Sequence, residues 1–357
     1  MKLFLQMTKK IDNEKRNFFK TVFPIIVTIE RNEYLPSFLI AFNSTRIKMK
    51  IFEYRIVVPL EYAKYLVGNR YMALEYIKSE TANGEGIEVI KNEDYKGDGK
   101  NNNDVRNQSG THTYKIYHIK SKIPAFIRWA VPDKYLHFHE ESYNSFPHVL
   151  TTYSVPGMGK DFSLELESQH IRYTCNKNGV PVHFPENATG LSKTELSKRK
   201  IVWLDILSDG KKSKYNLKHF KCEAANLDFD SPIFSNKFHD TEQSNDDNND
   251  DYYSKANEFD DNSEQYIANN SPPEWTKHYK GEMVCAIKVV KFHLKWFGLK
   301  TTVEKIVTHS VYPKLFVEAH QRMIRTMNDW YGMSIDDIKK LESAAINDQK
   351  KKSTFEE

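Results

Sequence analysis

VCAIKVVKFHLKW, from Val284 to Trp296, alternates with the period of two residues that is typical of a β-strand. The even-numbered positions form an apolar face, and Lys288 lies in the middle of it. An unpaired ammonium buried there would cost roughly several kcal/mol. A lysine stem could instead extend to solvent at a strand end, but apolar residues flank Lys288 on both sides. The pattern therefore predicts a largely apolar pocket in which Lys288 meets one negative charge.

Three other segments also place polar side chains on apolar faces. These side chains are Thr113 and Lys115 on one strand, Ser168 at the end of another, and Glu342 beside a C-terminal helical stripe. Each one alone could be a satisfied core group or the edge of a stripe. Together, the four segments indicate a cavity lined for an amphipathic ligand.

The charge of the chain is unevenly distributed. The 357 residues carry a net charge of +4, yet ten acidic residues and one lysine lie between Asp240 and Glu264. That segment has a charge of about −9, which leaves about +13 on the remainder. A basic globular body suits nucleic acid or a phospholipid leaflet. No basic run is interleaved with aromatic residues as in a nucleic-acid groove, so we favour the leaflet and expect no nucleic-acid partner.

The cysteines and the hydrophobic runs indicate the compartment. Cys175, Cys222 and Cys285 are an odd number without close spacing, which argues against a disulfide framework or a zinc site. No run reaches the ~18 apolar residues that span a bilayer. The short apolar run 23–29 lacks a signal-peptide cleavage site. We therefore predict a cytoplasmic protein that contacts membranes peripherally.

The order of the elements predicts an α+β fold. Residues 1–48 lack clear periodicity and are predicted to be a poorly ordered extension, whereas the region 49–346 is well patterned. Its consecutive strands and long helical patterns favour a curved, mostly antiparallel sheet closed by helices. Within it, residues 226–272 are rich in Asn, Asp and Ser and predict a disordered acidic insertion. Residues 347–357 are predicted to be a charged tail.

Motifs for metal binding and catalysis are weak. In the run HFHEE at 137–141, His137 and His139 share a strand face, but no third ligand is implied, so we predict no metal site. The run GMGK at 157–160 lacks the spacing and the Ser/Thr of a phosphate loop, which favours a hairpin turn. No nucleophile elbow is present. We expect a protein that is not an enzyme and needs no cofactor.

Ordered matches along the chain point to a known family. They are FEYRIVVP at 52–59, GEGIEV at 84–89, KIYH at 115–118, YNSFP at 143–147, WFGL at 296–299 and DDI at 336–338. Over Met49 to about Ala345, the chain resembles the phosphatidylinositol transfer proteins. The resemblance implies a START-type helix-grip fold, in which a concave, mostly antiparallel sheet and long helices enclose one phospholipid.

The resemblance also implies roles for particular residues. The positions matching the family's inositol contacts are Thr113, Lys115, Asn144 and Glu342, and those matching its phosphate contacts are Asn69, Thr151, Ser168 and Lys288. Glutamine is usual where Asn69 stands, and threonine is usual where Ser168 stands. Both replacements keep the type of hydrogen bonding. The membrane-docking tryptophan pair of the family is similar to Trp296 and Phe297 here.

The function that the resemblance implies is lipid transfer. We expect a monomer that carries phosphatidylinositol, and either phosphatidylcholine or phosphatidic acid as a second lipid, with transient contact to membrane surfaces. The rival hypotheses are a lipid-modifying enzyme and an adaptor built on the acidic insertion. The missing nucleophile and nucleotide site argue against the enzyme. The retention of eight polar pocket positions argues against the adaptor.

Overall fold

In the described part of the chain, eight strands form one large sheet. The computed structural model describes residues 49–81, 87–100, 104–118, 137–207, 213, 215–234, 271–295, 304 and 307–353. The strands are β1 (Lys50–Val58), β2 (Ile87–Tyr95), β3 (Gly110–His118), β4 (His137–Ser145), β5 (His148–Ser154), β6 (Phe162–Tyr173), β7 (Lys200–Leu204), β8 (Lys221–Cys222), β9 (Leu227–Asp228) and β10 (Met283–Leu294). The large sheet has the order β2-β3-β4-β5-β6-β10-β1-β7, and β8 pairs with β9 separately. Only the edge pair of β1 and β7 is parallel within the large sheet.

Three long helices accompany the sheet. The helices are α1 (Tyr62–Thr81), α2 (Lys193–Leu196), α3 (Tyr312–Arg325), α4 (Met327–Trp330) and α5 (Ile335–Ser353). Helix α5 begins with a reciprocal cap, because the Asp337 N–H donates to the Ser334 hydroxyl and the Ser334 N–H donates to the Asp337 carboxylate. Within the described part of the chain, no helix combines the length and the apolar character needed to cross a membrane. The α+β class with a mostly antiparallel sheet is confirmed.

Strand β10 is buried on both of its faces. On the second face, Val289 packs against Ile51 and Leu191, so the alternation in the sequence does not mark a solvent-exposed side. Lys291 on that face forms ion pairs with Glu165 at 2.9 Å and Glu195 at 3.2 Å. Leu191 and Glu195, which contact this face, lie in the segment between β6 and β7. These contacts on the second face hold β10, and with it the residues on its first face, in place.

The predicted insertion begins later than residue 226. Leu227, Phe229 and Phe234 are buried, and the Phe229 and Phe234 rings stack at 4.7 Å between centroids. Phe234 also contacts Trp275, with ring centroids 5.5 Å apart. This corrects the predicted boundary, because three apolar side chains bury enough surface to order residues 226–234. Residues 235–270 lie outside the described residues, so their disorder stays a prediction.

The two predicted terminal regions differ in what the structure describes. Helix α5 continues through Ser353, so the predicted tail at 347–357 starts as helix. Residues 1–48 and 354–357 lie outside the described residues. The predicted extension therefore stays a prediction.

Candidate functional site

The register of the sheet aligns polar side chains across one face. Opposite residues of paired strands lie side by side on the same face. The first row runs through Lys288, Ser168, Val149, Asn144 and Thr111, the second through Leu166, Thr151, Ser142, Thr113 and Asn92, and the third through Leu164, Tyr153, Glu140, Lys115 and Val89. Side chains that are far apart in the sequence therefore form one continuous surface.

A cavity of about 290 Å³ lies against these rows. Helix α1 supplies Asn69 and helix α5 supplies Glu342, and both side chains line the cavity together with the sheet residues. The cavity brings together all eight residues that the sequence singled out: Asn69, Thr113, Lys115, Asn144, Thr151, Ser168, Lys288 and Glu342. An adjoining cavity of about 410 Å³ shares Asn69, Arg70, Thr111 and Asn144 with the first.

Lys288 lies at one end of the cavity without a carboxylate partner among the described residues. Its Nζ donates to the Ser168 hydroxyl at 3.2 Å and lies 5.9 Å from the centre of the Phe316 ring. Burial lowers the pKa of Lys288 to about 8. The inward-facing side chain that the sequence predicted for Lys288 thus lines the cavity, and the negative charge that it was predicted to meet stays a prediction. Such a site favours an anion, because an anion would stabilise the charged form of the ammonium against the cost of burial.

Neutral hydrogen-bonding groups line the same cavity as Lys288. Thr151 is buried, and its Oγ1 lies 2.9 Å from the Ser142 hydroxyl. Ser168 is 3% exposed and stands directly opposite Lys288 in the register. Asn69 reaches the same cavity from helix α1. Two hydroxyls and an amide can donate to an anion that one ammonium neutralises.

Lys115 at the other end of the cavity is paired with a carboxylate. Its Nζ donates to Glu140 Oε1 at 2.7 Å, and the Tyr117 hydroxyl donates to Glu140 Oε2 at 2.6 Å. Burial alone would raise the pKa of Glu140. The charge of Lys115 and the hydrogen bonds from Lys115, Tyr117 and Tyr153 outweigh burial and lower the pKa. The charge of Lys115 is therefore balanced locally.

Glu342 brings helix α5 to the same end. Its Oε1 lies 3.6 Å from Arg70 Nε on helix α1, which makes a looser ion pair than that of Lys115. Burial raises the pKa of Glu342, and the charges of Arg70, Lys339 and Lys115 partly offset that effect. Arg70 also approaches the Thr111 hydroxyl at 3.5 Å. Two helices and the sheet thus meet at this end through paired charges.

Comparison with known proteins identifies the family. The family model described as phosphatidylinositol transfer protein matches residues 49–347. The chain belongs to the phosphatidylinositol transfer protein family. The resemblance seen in the sequence is confirmed.

Proteins from several organisms match most of the chain. Phosphatidylinositol transfer protein 1 of Dictyostelium discoideum is 29% identical over 307 residues, which cover 85% of this chain and 96% of that protein. The rat phosphatidylinositol transfer protein beta isoform is 30% identical over 290 residues, which cover 81% and 89%. The Drosophila protein retinal degeneration B is 26% identical over 300 residues, which cover 82% of this chain and 20% of that protein. The family is one of lipid transfer proteins.

Sequence reasoning missed several polar side chains that line the cavity. Glu140, Arg70 and His170 all border it. Strand parity could have found two of them, because Glu140 shares a face with Phe138, and His170 shares a face with Ser168. Arg70 had no such signal, since its position depends on how helix α1 packs.

His170 is a neutral side chain beside Lys288. Burial and the charge of Lys288 hold its pKa well below the usual range. Its Nδ1 lies 3.0 Å from the Pro147 carbonyl oxygen. Its Nε2 is buried and has no hydrogen-bond partner among the described residues.

Some predicted features lie elsewhere. Trp296 and Phe297 are outside the described residues, so their docking role stays a prediction.

The histidines of the run at 137–141 contact neighbouring side chains. His137 lies 3.1 Å from His118, nitrogen to nitrogen, and His139 contacts the Tyr114 hydroxyl. Among the described residues, no group of three His, Cys, Asp or Glu side chains could hold a metal ion. Gly159 begins a short 3₁₀ turn rather than a phosphate loop.

Proposed function

We propose that this protein binds one phospholipid and exchanges phosphatidylinositol between membranes without converting it chemically. The observation that carries the proposal is the convergence of eight polar side chains, from two helices and five strands, on one cavity. Helices α1 and α5 and the sheet would enclose the headgroup between them. Family membership supports the same activity.

The phosphodiester would bind at the Lys288 end. A phosphodiester carries one negative charge, and Lys288 is the one cavity-lining cation without a carboxylate partner among the described residues. Thr151, Ser168 and Asn69 would donate to its oxygens. Charge-assisted hydrogen bonds of this kind are stronger than those between neutral groups.

The inositol ring would bind at the Lys115 end. Thr113, Lys115, Asn144 and Glu342 offer donors and acceptors to hydroxyl groups. A choline headgroup would leave the remaining donors and acceptors of these groups without partners, and unsatisfied buried polar groups are costly. The site would therefore favour phosphatidylinositol over phosphatidylcholine, with phosphatidylcholine or phosphatidic acid as the second lipid.

The acyl chains need more room than the cavity provides. A volume of about 290 Å³ is at the lower end of the ~300–1,000 Å³ that drug-sized ligands occupy. We infer that helices α1 and α5 separate when a whole lipid enters, and that the looser pair of Arg70 and Glu342 opens. Trp296 and Phe297 would dock the protein on the membrane during exchange, because aromatic rings favour the headgroup level of a bilayer.

Two measurements on the purified full chain test this function. Native mass spectrometry should find one bound phospholipid per monomer, with phosphatidylinositol among the species. Incubation of donor vesicles containing labelled phosphatidylinositol with acceptor vesicles should show transfer without turnover. Chemical turnover of the label would favour a lipid-modifying enzyme. Absence of both transfer and turnover would favour an adaptor.

A further inference from the structure

Glu140 is a buried carboxylate held by several hydrogen bonds at the inositol end of the cavity. It is 4% exposed, and its two oxygens accept from Lys115 at 2.7 Å and from Tyr117 at 2.6 Å. Tyr153, which lies opposite Glu140 on β5, also hydrogen-bonds to it. None of the sequence motifs assigned this carboxylate a function.

The network keeps Glu140 ionised. Burial opposes ionisation, but the charge of Lys115 and the three side-chain hydrogen bonds lower the pKa of Glu140 below its ordinary value. An ionised carboxylate beside an ammonium makes a pair without net charge. The Lys115 and Glu140 side chains are 16% and 6% exposed, so water screens this pair little.

The pair changes what Lys115 can offer to a ligand. A lysine ammonium has three N–H donors and no acceptor. One donor goes to Glu140, which leaves two for the cavity. Because Glu140 is fixed by Tyr117 and Tyr153, the ammonium is also fixed in position. Lys115 can therefore donate to hydroxyl groups while it contributes no net positive charge.

We propose that Glu140 is a positioning residue that fixes Lys115 and cancels its charge, so that the site selects an unphosphorylated polyol headgroup. This inference rests on the proposed binding of phosphatidylinositol. A phosphate on the ring would bring about −1.5 to −2 charges at pH 7. A ring phosphate would lie close to the carboxylates of Glu140 and Glu342. The neighbouring cations, Lys115 and Arg70, would not offset its charge, because each is already neutralised by one of these carboxylates. Ring-phosphorylated lipids are therefore rejected.

The other cations near the Lys115 end of the cavity are also accompanied by carboxylates. Arg70 is paired with Glu342, and Lys78 is paired with Glu75 at 2.9 Å. In the adjoining cavity, Lys339 is accompanied by Asp94. The uncompensated charge of the main cavity is thus that of Lys288, within the described residues, and the phosphodiester uses it.

A double-mutant cycle in the full chain tests this role. The variants are Glu140→Gln, Lys115→Gln and the two combined, each assayed with vesicles containing labelled phosphatidylinositol, phosphatidylcholine or phosphatidylinositol 4-phosphate. We expect Glu140→Gln to reduce phosphatidylinositol transfer about tenfold and phosphatidylcholine transfer less than about threefold. It should also raise the transfer of phosphatidylinositol 4-phosphate relative to phosphatidylinositol by at least about tenfold, because Lys115 becomes an uncompensated cation.

The cycle distinguishes positioning from a general structural role. If Glu140 acts through Lys115, the combined variant transfers phosphatidylinositol no worse than Lys115→Gln alone. Glu141→Gln is the matched control. Its side chain is on the opposite face, bonded to His112 and Tyr143, and all three lipids should be transferred as before. Equal losses for phosphatidylinositol and phosphatidylcholine, or losses that multiply in the combined variant, would overturn the proposal.

A milder variant covers the case in which Glu140→Gln does not fold. Tyr117→Phe removes one hydrogen bond from Glu140 and leaves the ion pair of Lys115 and Glu140 in place. We expect a loss of phosphatidylinositol transfer of about threefold, with phosphatidylcholine transfer unchanged. Unchanged phosphatidylinositol transfer would overturn the proposal. A wild-type protein that transfers no phosphatidylinositol would instead reject the proposed function on which this role rests.

Discussion

The two ends of the cavity hold lysines of opposite character. Lys288 and Lys115 both project from the same face of one sheet into one cavity. The ammonium of Lys288 meets a hydroxyl and an aromatic ring, and burial lowers its pKa to about 8. The ammonium of Lys115 meets an ionised carboxylate at 2.7 Å.

The difference shows that the partner of a buried lysine determines which ligand it suits. An uncompensated ammonium gains most from an anion, because the anion offsets its desolvation. A compensated ammonium gains little from another anion but still offers hydrogen-bond donors. One cavity can therefore hold a phosphodiester at one end and neutral hydroxyl groups at the other.

Loss of Lys288 should have the largest effect. Lys288→Ala removes the one charge that neutralises the phosphodiester, a change of roughly 2–5 kcal/mol for a buried charge pair. Transfer of every phospholipid should fall by about 30-fold or more in a vesicle assay. Lys291→Ala is the control, because Lys291 lies on the same strand but on the opposite face, paired with Glu165 and Glu195. Equal effects of the two substitutions would remove the basis for the phosphate assignment.

Changes at the other end should affect one lipid only. Lys115→Ala and Glu342→Ala should each reduce phosphatidylinositol transfer more than about tenfold, since each removes one or two hydrogen bonds to ring hydroxyls. Phosphatidylcholine lacks these hydroxyls, so its transfer should be largely retained. Parallel assays with the two labelled lipids provide the measurement. If both lipids were affected alike, the two ends would not differ in headgroup selection.

The pH dependence should follow Lys288. Burial lowers its pKa to about 8, and a bound phosphodiester would raise it. The complex then holds more protons than the empty protein, so affinity is full below about pH 8 and falls as the pH rises above that value. Binding measured by fluorescent-lipid titration should be about tenfold weaker at pH 9 than at pH 7. Lys288→Arg stays charged, and its profile should be flat over the same range.

The smallest effect is expected at Ser168. Ser168→Ala removes the hydroxyl that faces Lys288 at 3.2 Å, a hydrogen bond to a charged group worth about 1.5 kcal/mol or somewhat more. Transfer of all phospholipids should fall roughly tenfold to twentyfold. Ser163→Ala on the exposed edge of the same strand serves as the control. An effect as large as that of Lys288→Ala would mean that the hydroxyl, rather than the charge, controls phosphate binding.

Strand parity made much of the site predictable. Side chains two residues apart on a strand share a face, so Lys288, Ser168 and Lys115 were identifiable as polar groups on apolar faces. The same rule applied to Glu140 would have found it, because Glu140 shares a face with Phe138. The covering of the second face of β10 and the ordering of residues 226–234 were not predictable, because both depend on packing against segments distant in the sequence.

The sequence by itself determined the family, the α+β class and the polar residues that face inward, because local periodicity and ordered motifs are properties of the chain. Only the tertiary structure decided which charges meet. The pairing of Lys115 with Glu140 depends on the register between β3 and β4, and that of Arg70 with Glu342 depends on the packing of helix α1 against helix α5. A buried charge is stabilised by the group that lies within a few ångströms of it, and this distance is a property of the folded molecule.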